Sequence, residues 1–64
     1  MRFSDKLAKK RKECNLSQEQ LAEKMNVSRQ SVSKWENGSS YPDMDKMIQI
    51  CGVLNCTLED LLDD

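Results

Sequence analysis

At 64 residues the chain is large enough for one small domain, close to the lower limit for a core that folds without staples. Charged residues make up 33% and the apolar set 38%, which fits a soluble globular chain and excludes disordered or fibrous classes. A net charge of −1 hides an uneven distribution: residues 1–40 carry nine Lys/Arg and five Asp/Glu, residues 41–64 one lysine and six acids.

A basic half joined to an acidic half can present a favourable face to a polyanion, although helix-end preferences alone also produce such splits. No apolar run approaches the eighteen or so residues a membrane span requires. The N-terminal MRFSDKLAKK has neither the apolar stretch nor the cleavage site of a signal peptide, so the cytoplasm is the expected location. Cys14, Cys51 and Cys56 form no CxxC pair, and the chain has no histidine. A zinc site is therefore not expected, and the thiols read as reduced packing groups. Without a histidine, a glycine-rich phosphate loop or a nucleophile beside a base, no enzyme and no cofactor is expected.

In chain order, the first expected helix covers residues 3–14. Phe3, Leu7, Arg11 and Cys14 share one face, with Lys6, Lys9, Lys10 and Lys12 solvated around it. The second runs from about Ser17 to Met25. Ser17 and Gln20 have capping-box spacing, and Leu16 and Leu21 the spacing of a hydrophobic staple. The third runs from about Ser28 to Asn37, with a serine cap and a staple from Val27 to Val32. Only Asn26 and Val27 separate these two helices. So short a turn requires a residue that tolerates positive φ, which asparagine does, and forces the steep crossing of a helix-turn-helix.

A fourth helix over 43–54, after Pro42, aligns Met44, Met47, Ile48, Cys51 and Leu54. Ile50 and Val53 fall off that face, so the helix is expected to be central and surrounded. Gly52 within it suggests the close approach of a neighbour. A fifth helix begins at Thr57, with Asp60 in the box position and Cys56 and Leu61 as staple. Five helices and no strand make an all-α domain spanning 1–64.

In the third helix Val32 and Trp35 lie about 60° apart and define the buried side. Arg29, Gln30, Ser33, Lys34 and Asn37 point away from it, with no carboxylate among them. Arginine suits a guanine edge, glutamine an adenine edge, serine either, and lysine and asparagine suit phosphates. An ordinary solvated face remains the alternative at this point. Glu36 sits at the edge of the buried side, where it needs a partner. Arg11, interrupting the apolar stripe of the first helix, is the candidate.

The run LSQEQLAEKMNVSRQSVSKWENGSSYPD resembles the Cro/CI-type helix-turn-helix family, also called the Xre family, which is lambda-repressor-like. The resemblance covers Leu7 to Leu62 and is most specific between Leu16 and Pro42. It rests on Ala22, Val32 and the ending Trp35-Glu36-Asn37-Gly38, with Asn26 standing where the family usually has glycine. It implies a compact five-helix fold and a sequence-specific transcriptional regulator, expected to be a repressor. The third helix would enter the major groove of a (pseudo)palindromic operator.

By position, the resemblance gives Ser28, Arg29, Gln30 and Ser33 to base edges. Gln18, Lys34, Asn37, Ser39 and Ser40 go to the sugar-phosphate backbone, and Arg11 and Glu36 to a buried ion pair. Double-stranded DNA is the implied partner. A homodimer is expected on it, because one recognition helix reads only half of a two-fold site. Leu58, Leu61, Leu62 and Val53 are the candidates for its contact, with the alternative that they close the core. The acidic tail of Asp60, Asp63 and Asp64 is expected to lie away from DNA, and no effector site is visible. The rival reading is a protein-binding module of the same fold that works through its acidic face.

Overall fold

The computed structural model describes residues 2–62, so Asp63 and Asp64 lie outside the described residues. Five helices occur in the expected order: α1 (Phe3–Glu13), α2 (Gln18–Met25), α3 (Arg29–Asn37), α4 (Met44–Leu54) and α5 (Leu58–Leu61). Among the described residues there is no strand. The helix α3 packs against both α1 and α2, α2 rests on α4, and α5 closes against α1 and α4. The core between them comprises Phe3, Leu7, Leu21, Ala22, Met25, Val32, Trp35, Met47, Ile50, Leu54 and Leu61.

A repeated tripeptide makes the sharp turns. Asn15-Leu16-Ser17, Asn26-Val27-Ser28 and Asn55-Cys56-Thr57 each place an asparagine at positive φ, at 59°, 57° and 53°. In each, an apolar residue packed against the core follows, and then the Ser or Thr that caps the next helix. Asparagine reverses the chain at low steric cost, the apolar residue anchors the entry, and the hydroxyl satisfies an orphan backbone N–H. Ser17 and Thr57 form full capping boxes with Gln20 and Asp60. The Thr57 backbone and side-chain hydrogen bonds hold the Asp60 carboxyl below its ordinary range. Asp43 caps α4 by accepting from the Lys46 backbone N–H at 2.9 Å, which the sequence reading missed.

The expected face of α4 needs correction. Met47, Ile50 and Leu54 are buried, whereas Met44 is 62% and Ile48 57% exposed. The helix MDKMIQICGVL has apolar residues on most of its circumference, so periodicity does not select the face that its neighbours cover. With Met44 and Ile48 in solvent, α4 is not surrounded. Nor does a neighbour within the chain explain Gly52: a Cβ built there meets no heavy atom within 4 Å. Among the residues considered for self-association, Leu61 is fully buried and Leu58 and Val53 pack against the core, so they help close it. Leu62 is exposed.

Candidate nucleic-acid interface

The turn before α3 is closed by two backbone hydrogen bonds, from Asn26 N to Glu23 O at 3.2 Å and from Val27 N to Ala22 O at 2.9 Å. Asn26 takes φ 57° and ψ 44°, the left-handed region for which glycine and asparagine are suited. The Ser28 hydroxyl oxygen then accepts from the Ser31 N–H at 3.2 Å and lies 3.1 Å from the Ser31 hydroxyl. Its observed role is therefore the cap of α3. At the other end Gly38, at φ 84°, turns the chain out, and Ser39 and Ser40 both donate their N–H to the Lys34 carbonyl.

Val32 is fully buried and Trp35 6% exposed, so the indole is core. Arg29, Gln30, Lys34 and Asn37 are exposed and Ser33 is half-buried. Among the described residues, no hydrogen bond or ion pair holds the side chains of Arg29, Gln30 or Lys34. The Asn37 Oδ1 accepts from the Ser39 N–H at 2.8 Å, which orients its amide and leaves the NH₂ as a donor. The first turn of α3 holds no acid. Its unpaired N-terminal N–H groups therefore present partial positive charge without a competing carboxylate.

The one carboxylate of α3 is turned inward. The Arg11 Nε donates to Glu36 Oε2 at 2.7 Å and its Nη2 to Oε1 at 2.9 Å, a bidentate pair. The hydrogen bond to Glu36 raises the Arg11 pKa above its ordinary value, against the lowering effect of burial. The third guanidinium nitrogen donates to the Leu16 carbonyl at 2.7 Å. Gln18 also donates, from Nε2 to Glu36 Oε1 at 3.1 Å. One cluster thus ties together α1, the loop before α2, the start of α2 and the end of α3. It cancels the charge of Glu36 and holds the exposed face of α3 at a set angle. The sequence had placed Arg11 with Glu36, but it gave no signal for the Gln18 contact.

Gln18 is half-buried, Ser39 exposed and Ser40 half-buried; the two serines follow α3 directly. The α1 cations divide: Lys10 sits 3.6 Å from Glu13 and Lys6 bonds the Leu62 carbonyl, while Lys9 and Lys12 are exposed. Among the described residues there is no group of His, Cys, Asp or Glu that could hold a metal ion, and no helix long and apolar enough to cross a membrane.

A helix-turn-helix family model matches residues 7–61. The chain belongs to the helix-turn-helix family. It is 45% identical over 62 residues to the HTH-type transcriptional activator BcrR of Enterococcus faecalis, covering 97% of this chain and 30% of that protein. It is 31% identical over 61 residues to the cryptic phage CTXphi transcriptional repressor RstR of Vibrio cholerae, covering 95% of this chain and 54% of RstR. The chain therefore spans about a third to a half of the length of these relatives. The P22 c2 repressor, solved in complex with a synthetic operator, has the same fold. The TM-score is 0.92 at 22% identity, covering 98% of this chain and 96% of the repressor chain.

Proposed function

We propose that this chain is the DNA-binding domain of a sequence-specific transcriptional regulator that works by occupying an operator, with α3 inserted into the major groove. The observation that carries this reading is the division of α3. Arg29, Gln30, Lys34 and Asn37 stand exposed, while Glu36 is turned in and neutralised by Arg11. Such a helix offers donors to base edges and phosphates with no uncompensated negative charge to repel them.

Arg29 and Gln30 lead base reading, assisted by Ser33 and by the hydroxyl proton of the capping Ser28. Lys34, Asn37, Ser39 and Ser40 hold phosphates where the chain leaves the groove. Gln18 adds a phosphate contact at the α2 N-terminus, through its backbone N–H while its side chain remains on Glu36. Two copies read a (pseudo)palindrome with half-sites about 34 Å apart, and the setting is the cytoplasm. The relatives' names include a transcriptional activator and a transcriptional repressor, so regulation of transcription is what those names share. Repression is the outcome where the operator overlaps a promoter.

Selection of bound sequences from a random double-stranded DNA pool tests the reading. It predicts an enriched inverted repeat whose half-sites change when Arg29 is replaced. A pool that stays random after repeated rounds would sink it, and would favour the protein-binding alternative.

A further inference from the structure

Three helices end in the same way, and one of these ends carries two thiols. The N–H of Leu16 donates to the Arg11 carbonyl at 3.2 Å, that of Val27 to Ala22 at 2.9 Å and that of Cys56 to Cys51 at 3.0 Å. Each bond reaches back five residues across an asparagine at positive φ. In this reversal the residue beyond the turn packs back on the last turn of its helix. At the first two ends the facing pairs are Arg11 with Leu16 and Ala22 with Val27. At the third they are Cys51 and Cys56, whose thiols are hydrogen-bonded to each other. Packing alone is met by an aliphatic pair, as at Ala22 and Val27. Two of the chain's three cysteines instead fall on the one pair of positions that this turn brings into contact.

We infer that Cys51 and Cys56 form a dithiol site for reversible oxidation, closed to an intramolecular disulfide by exchange with a low-molecular-weight disulfide. The inference is independent of the DNA-binding reading. Both cysteines are free and half-buried, so a small oxidant reaches them while the turn holds them face to face. Cys51, as the thiolate, attacks one sulfur of the oxidant, breaks its S–S bond, expels one small thiol and forms a mixed disulfide. Cys56 then releases its proton to solvent and attacks the Cys51 sulfur, expelling the second small thiol. The two cysteines lose two electrons and two protons, and the oxidant gains both. Burial, with Cys51 and Asp60 nearby, pushes the Cys56 thiol up to about 11, which makes it the second to react. Because the backbone already holds the two residues together, ring closure needs side-chain rotation and no rearrangement of the turn.

Cys14 also touches the end of α4, but in a different way. It is exposed, and its thiol donates to the Leu54 carbonyl at 3.5 Å. Among the described residues the three cysteines do not make a group that could hold a metal ion. The Cys51–Cys56 bond braces the end of α4 against the entry to α5, the helix that closes on α1 and α4. In a reducing cytoplasm the pair stays as thiols, and an oxidising shift closes it.

Equilibrating the full chain with mixtures of reduced and oxidised glutathione tests the site. Free thiols are then alkylated with N-ethylmaleimide and the chain is cut after lysine and arginine, which separates Cys14 from the segment 47–64 that holds the pair. That segment should be two hydrogens lighter and unalkylated, with Cys14 alkylated. The exchange equilibrium should favour the disulfide about tenfold more in the folded chain than in concentrated urea. By linkage the oxidised chain should then melt about 5–10 °C above the reduced one. Cys56→Ala should stop at the mixed disulfide, with one glutathione held on Cys51. Alkylation of both Cys51 and Cys56, with glutathione or a second chain on Cys14 alone, would overturn the proposal. So would an equilibrium equal in folded and urea-unfolded chains, or a melting temperature that oxidation leaves unchanged.

Discussion

Replacing Glu36 by alanine should be among the most damaging single changes on the α3 helix, although the residue is polar and the helix short. The Arg11 side chain is 10% exposed and that of Glu36 6%, and two hydrogen bonds of 2.7 and 2.9 Å join them. Glu36→Ala leaves the guanidinium buried with only the Leu16 carbonyl, and strips Gln18 of its acceptor. Losing one partner of a buried pair costs about 3–5 kcal/mol. At about 0.05–0.15 kcal/mol per residue, a chain of this length has about 3–10 kcal/mol of stability in all. The variant should therefore be partly or wholly unfolded at room temperature.

The double variant Arg11→Met with Glu36→Leu removes both charges and fills the volume. It should lie within about 1 kcal/mol of the parent or be more stable, since the pair's Coulomb gain is set against two desolvation costs. Urea unfolding followed by the fluorescence of Trp35, the only tryptophan and nearly fully buried, measures both variants. A single-variant loss below about 1 kcal/mol would refute the reasoning, as would a double variant as unstable as the two losses added.

The split within α3 predicts different binding defects. Arg29→Ala should cost about 1–3 kcal/mol of operator affinity and relax preference at one base position, whereas Asn37→Ala should weaken all sequences alike. Competition titrations with single-base operator variants distinguish the two, and identical behaviour would contradict the assignment. At the turn, Asn26→Val should lower stability by about 1–2 kcal/mol, because a β-branched residue resists positive φ, while Asn26→Gly should be close to neutral. Thermal unfolding reads both.

The thiols should separate by reactivity. Cys14 is exposed, whereas burial, with Cys51 and Asp60 nearby, pushes the Cys56 thiol up to about 11. Timed alkylation at pH 8 with mass mapping should therefore modify Cys14 first and Cys56 late. A thiol pKa raised on folding gives stability that is complete below the unfolded value and declines as pH rises towards about 11. Alkaline unfolding should accordingly set in earlier for the parent than for Cys56→Ala.

Much of this fold could be read from local chemistry. Ser17 with Gln20, Ser28, and Thr57 with Asp60 are caps that depend only on near neighbours, and each formed where its spacing indicated. The buried side of α3 was equally legible, since Val32 and Trp35 are its only large apolar residues. The orientation of α4 was not, because apolar residues cover most of its circumference and only its partners decide which of them are buried. Asn15 and Asn55 carried a signal that was available: the Asn-apolar-Ser/Thr order around Asn26 recurs at both. The Gln18 bond to Glu36 links residues 18 positions apart, and no local pattern encodes such a contact.

The most direct test of DNA reading is a fluorescence anisotropy titration of the full chain against its selected operator and a scrambled duplex, at two salt concentrations. Operator affinity should fall steeply with salt, as counterions are released from the contacted phosphates. Only unlabelled operator, and not the scrambled duplex, should displace the bound chain at moderate excess. Equal displacement by both duplexes, or affinity insensitive to salt, would contradict the account.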